Sequence, residues 1–269
     1  MHKNKDFPVW LKSLFVILGF LLLFYLADVL TFLYSDWKHL LPRNRYLNNL
    51  SWFSLRIGLI VLFTSLLVRG NVLHALGLDR RFLQGMALAF VFTLPMLTGP
   101  SLFYGFNSNI SFYDIWLYGF HAAFWEELLM RSFLFGLLFR YLRRGFIPAG
   151  LLAAVFFGMG HVYQGNDFLS ALMAFLVTAM GSLWYSWLYI EWRNNAGINI
   201  GLHLFMNLSW VIWDLQGGAA GEAWPNVFRA VTIALSIVYT VKVICKKQGF
   251  AVNKSVLWIN AGDGGRAEG

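Results

Sequence analysis

Eight apolar stretches, each about 17 to 25 residues long, follow one another at 10–34, 52–68, 82–99, 115–139, 147–163, 168–190, 197–213 and 224–245. Crossing the ~30 Å hydrocarbon core of a bilayer takes about 20 residues of helix. Within that core every backbone N–H and C=O must find its partner inside the segment, so runs of this length cross as helices. The chain therefore reads as an all-α membrane protein of about eight transmembrane helices. Composition agrees, with 58% hydrophobic and only 13% charged residues, where a soluble domain has roughly a quarter charged. The connections are short and no internal repeat is visible, so residues 1–245 form a single polytopic membrane domain. Residues 246–269 are basic and then Gly-rich, and read as a disordered C-terminal tail. Lys3, Lys5 and Lys12 flank a first run that outlasts a secretory h-region and has no small-x-small cleavage site after it, so it reads as an uncleaved first span.

A net charge of +8 would suit nucleic acid in a soluble protein. In a membrane protein basic loops report orientation instead, so no nucleic-acid partner is expected. If the N-terminus is cytoplasmic, 15 of the 21 Lys and Arg lie on that side. Lys38, Arg43 and Arg45 lie opposite, and Arg56, Arg131 and Arg229 fall within spans. Both termini are thus expected in the cytoplasm, in a cell (inner) membrane. The single cysteine, Cys245, rules out an internal disulfide and any Cys-pair metal site, and reads as an inert membrane thiol. The Gly-rich "DLQGGAAGEA" at 214–223 reads as a flexible linker.

Against this background "FWEELLMR", residues 124–131, stands out. Each charge at the centre of a membrane helix costs roughly 2.5–3.5 kcal/mol. Glu127 and Arg131 are four apart, share a helix face and can pair. Glu126 points about 140° away from Arg131, by the 3.6-residue turn, and has no partner on its own helix. Two further clusters lie on other spans. "FFGMGH" carries Phe157 one turn before His161, and "HLFMN" puts His203 and Asn207 on one face. Gly197 and Gly201 precede His203 in a small-xxx-small pattern that permits close helix approach. His121 lacks such a context and reads as a core histidine, while Asp28, Arg56 and Arg229 read as structural. An unpaired Glu, two His and an Asn on three helices form a set suited to activating water. Depths counted at about 1.5 Å per residue put Glu126 and His161 some 20 Å from the cytoplasmic ends of their spans, but His203 only about 9 Å and Asn207 about 15 Å. That mismatch calls for a helix that starts late or tilts.

In order and on successive spans, E126-E127-L-L-M-R131, F157-G-M-G-H161 and H203-L-F-M-N207 resemble the motifs of the CPBP family. This family, also called Abi, comprises CAAX-type prenyl proteases and bacteriocin-processing or immunity proteins. The resemblance covers about 115–213, the expected catalytic core, and the first 100 residues carry no motif. It implies an eight-helix glutamic intramembrane endopeptidase that needs neither metal nor cofactor. By the same resemblance the catalytic set is Glu126, Glu127, His161, His203 and Asn207. Glu126 with His161 would activate water, and His203 with Asn207 would stabilise the oxyanion. Arg131 and Phe157 would support them. The implied partners are the bilayer and a membrane-associated or lipidated peptide substrate; CAAX proteases act on prenylated C-termini at the cytoplasmic surface. Three other readings compete: a zinc protease, although no H-E-x-x-H is present; a non-catalytic scaffold or immunity protein keeping the fold; and a proton-relay transporter, although no repeated halves are visible.

Overall fold

The computed structural model describes residues 7–79, 81–213, 215 and 221–260. Lys3, Lys5, Arg80, Arg266 and most of the 214–223 linker fall outside them. All regular structure among the described residues is helical. In chain order the main helices are α1 (Val9–Phe24), α2 (Leu26–Leu33), α3 (Arg45–Leu67), α4 (Phe82–Leu102), α5 (112–141), α6 (Phe146–Gln164), α7 (Phe168–Glu191), α8 (Ala196–Trp213) and α9 (Ala223–Gln248). Six of these, α3, α4 and α6–α9, are long and apolar enough to cross a membrane. The pair α1 and α2, bent by 74°, counts as a seventh if taken as one span. The expectation of eight spans is met only to that extent. What separates α5 from the others is charge: every 18-residue window of it contains at least three charged residues.

α5 is the axis of the bundle. Every residue from Leu128 to Phe139 is buried, so this second half of the helix is surrounded by protein on all sides. α1 lies against it through Val16, Phe20 and Leu23, and α6 through Ala149, Ala153 and Phe157. Much of α5 is wound wider than an α-helix, over Ile115–His121 and Leu128–Tyr141, with Glu126 and Glu127 in the regular α stretch between.

α8 meets α4 through glycine. A Cβ on Gly197 would lie 2.0 Å from the Phe82 carbonyl oxygen, and one on Gly201 would lie 2.6 Å from Ala89 Cβ. The small-xxx-small pattern thus serves backbone approach. The first turns of α8, Ala196 to Leu202, are buried throughout. Ala196 N–H donates to Gly77 O (3.0 Å), so α8 starts beneath the 68–81 connection and inside the bundle.

The C-terminal segment corrects an expectation. Residues 246–260, read from composition as disordered, fold back onto the bundle. The buried Glu191 carboxylate accepts from Ala251 N–H (2.9 Å) and Val252 N–H (3.0 Å). Gly145 and Ile147 N–H donate to Trp258 O and Leu257 O, and Val256 is buried. Glu191 needs donors because a buried carboxylate without them is costly, and composition gave no hint of where they would come from. Residues 261–269 lie outside the described residues.

Candidate active site

Glu127 and Arg131 lie on the α5 face turned into the bundle, both with fully buried side chains, and their ion pair is formed: Arg131 Nε stands 3.1 Å from Glu127 Oε2. The guanidinium also sits over the rings of Phe157 (4.3 Å) and Tyr185 (5.0 Å). Two aromatic faces and one carboxylate therefore share the compensation of this cation. The other Glu127 oxygen is engaged as well, since His203 Nδ1 donates to Oε1 at 2.7 Å. A carboxylate that takes an N–H at Nδ1 fixes the imidazole tautomer and its orientation. His203 Nε2 then faces Glu126, 3.8 Å from its Oε2.

Glu126 is placed differently from its neighbour. Its side chain is 28% exposed and borders a cavity of about 820 Å³. Its Oε2 is buried without a hydrogen-bond partner among the described residues. Arg56 on α3 is held between the Trp52 and Trp125 rings, at 4.5 and 4.6 Å.

His161, His203 and Asn207 all border the same cavity as Glu126. His161 lies just beyond the α-helical part of α6, which ends at Met159. Its Nδ1 is 2.7 Å from the Phe157 carbonyl. A carbonyl only accepts, so Nδ1 carries the hydrogen and Nε2 is left as the acceptor in the neutral ring. Phe157 packs against His161 (ring centroids 4.5 Å), His203 (6.3 Å) and Arg131, touching three of the motif residues at once. Asn207 Nδ2 donates one N–H to Tyr118 O at 2.9 Å and keeps a second.

All seven residues singled out in the sequence therefore surround one place. The depth mismatch also disappears. His203 is level with Glu127 because α8 begins inside the bundle, whereas the count had started every span at the membrane surface. The expected pairing is altered in one respect: the imidazole standing beside Glu126 is His203. His121 is buried away from the cavity lining, its ring 5.2 Å from Phe53.

Two residues of the site were missed in the sequence. Tyr185 on α7 is buried and lines the cavity, its ring 6.1 Å from that of His203. Arg229 on α9, read as structural from the sequence, also lines the cavity, over the Trp210 ring at 4.6 Å. Tyr185 belongs to a run rich in Trp and Tyr, "SLWYSWLY", which reads as ordinary membrane packing. Only its position opposite Arg131 marks it out. Among the described residues no group of three or more His, Cys, Asp or Glu is arranged to hold a metal ion.

Residues 108–209 match the family model of the Rce1-like type II CAAX prenyl endopeptidases. That segment runs from the approach to α5 to the third turn past Asn199 in α8, and includes every motif residue. No curated protein and no solved structure matches the chain. Over residues 108–209 the chain is thus similar to the CPBP, or CAAX protease-like, family, and its apolar helices are those of an integral membrane protein.

Proposed function

We propose that the protein is a glutamic intramembrane endopeptidase, an eight-span protein of the cell membrane with both termini in the cytoplasm. It hydrolyses a peptide bond of a membrane-associated or lipidated polypeptide. One observation carries the reading. A carboxylate oxygen of Glu126 is left without a hydrogen-bond partner at the edge of a membrane cavity, facing an imidazole that Glu127 holds from behind.

Water positioned between Glu126 and the histidines gives a proton to the Glu126 carboxylate while its oxygen attacks the substrate carbonyl carbon. Such positioned base catalysis is worth roughly 10²–10⁴ in rate. His161, with Nε2 as acceptor, helps orient that water. Negative charge then develops on the carbonyl oxygen. The second N–H of Asn207 and a protonated His203 Nε2 can donate to it, each donor being worth on the order of 10²–10³. When the tetrahedral carbon collapses, the C–N bond breaks and Glu126 returns its proton to the departing amine. The remaining water oxygen stays in the new carboxyl group. Glu127 and Arg131 take no part in bond making; they hold His203 and keep α5 in register.

The test is a comparison of protein termini across the membrane proteome of cells carrying the native protein or Glu126→Gln, with the exposed His74→Gln as control. New termini present in native and His74→Gln cells and absent in Glu126→Gln cells are expected. Identical termini in all three, with equal expression, would leave a scaffold or immunity role in place of catalysis.

A further inference from the structure

The two ends of the bundle differ in charge, and the cavity belongs to one of them. At the first end, Arg144 donates to Ser13 Oγ (3.1 Å), Arg140 to Ala75 O (2.8 Å), and Arg193 to Gln248 Oε1 (2.7 Å). These bonds tie the start of α1, the 68–81 connection, the α5–α6 and α7–α8 turns and the C-terminal segment into one basic rim, which also carries Lys246, Lys247 and Lys254. At the second end, Trp116 donates to Asn49 Oδ1 (3.1 Å), Asn107 to Val211 O (3.0 Å), and Tyr104 to Glu222 Oε2 (2.7 Å). The described cations of its connecting segments are Lys38, Arg43 and Arg45, and Arg229 lines the cavity from within α9.

The cavity runs from Glu126 and His203 toward the second end, where Asn107, Asp114, Tyr163 and Gln164 line it. Residues of the basic rim do not line it. Its walls on α7 and α9 are largely apolar, with Val177, Met180, Ile233 and Ile237. Those two helices are joined toward the basic end, where Trp192 Nε1 donates to Thr240 Oγ1 at 2.9 Å. Basic loops near span ends remain in the cytoplasm.

We infer that the catalytic cavity opens to the non-cytoplasmic face of the membrane, and that its substrate is a membrane-anchored polypeptide whose scissile bond lies on that side of its apolar segment. The substrate class rests on the protease reading; the direction of opening rests on charge and geometry alone. A prenylated C-terminus carried on the cytoplasmic surface would meet the basic rim, which closes the route to Glu126. An exported polypeptide held by an apolar anchor would meet the open cavity.

The experiment is cysteine labelling in a Cys245→Ser background, on cells stripped of wall and outer membrane, with a charged, membrane-impermeant maleimide. Asn109→Cys and Tyr163→Cys report the cavity end, Ala122→Cys the cavity itself, and Ser255→Cys the basic end. The first three are expected to label in intact cells at least ten-fold more than Ser255→Cys, which labels after permeabilisation. Any other pattern, including labelling of Ser255→Cys in intact cells, overturns the inference. Labelling needs no catalysis, so the same pattern in a Glu126→Gln background separates this result from the fate of the protease reading.

Discussion

Neither Glu127 nor Arg131 could stay where it is without the other. Removing one partner of a buried pair leaves an uncompensated charge and costs about 3–5 kcal/mol. Arg131→Met is therefore expected to lower thermal stability in detergent sharply. Glu127→Gln/Arg131→Met should recover much of that loss while cleavage stays impaired, because His203 Nδ1 then donates to an amide and no longer to a carboxylate. Recovery of both stability and rate in the double variant would show that Glu127 matters to packing alone. The same residues show how far helical geometry reads from sequence. The four-residue spacing gave the Glu127–Arg131 pair and the separation of Glu126 from it. It could not give His203 as the second partner of Glu127, since that contact joins residues 76 apart in the chain. The surroundings of Arg56 and Arg229 were hidden in part for a similar reason. Trp52 lies four residues before Arg56 on the same helix, but the Trp125 and Trp210 faces that also hold these two arginines come from other helices.

At the scale of elements, the position of His203 depends on how deep α8 begins, and that depends on Gly197 and Gly201. Gly197→Ala would place a methyl group against the Phe82 backbone and push α8 away from α4. Overpacking of this kind costs about 1–3 kcal/mol, and the same displacement moves His203 from Glu126. Both the melting temperature and the cleavage rate should fall; an unchanged rate would show that α8 tolerates the shift. The C-terminal segment makes a second prediction. A chain ending after Gln248 leaves buried Glu191 without its two backbone donors, and a stranded buried polar group costs about 1–3 kcal/mol, more when charged. Such a truncation should melt at a lower temperature than the full chain, whereas a disordered tail could be removed without effect. The helices themselves were legible from hydropathy, because lipid demands long apolar runs. The packing of 246–260 was not, since a polar, Gly-containing sequence looks the same whether solvated or bonded to one buried carboxylate.

For the whole molecule, apolar helices enclose a charged axis. α5 carries charges that lipid would reject, and it carries them where protein, not lipid, surrounds it. The positions of the apolar runs and the three motifs could be read in the chain before its fold was known. The existence of a shared cavity, its wall from α7 and α9, and its opening at one end could not, because each depends on contacts between distant segments. The central claim is that Glu126 is the base that activates water in this cavity. It is tested most directly by single-turnover cleavage, in liposomes and with a chelator present, of the polypeptide found by the termini comparison. Glu126→Gln is expected to slow cleavage about 10²–10⁴-fold without lowering the melting temperature. Cleavage by Glu126→Gln at a rate within a few-fold of the native protein would contradict the account.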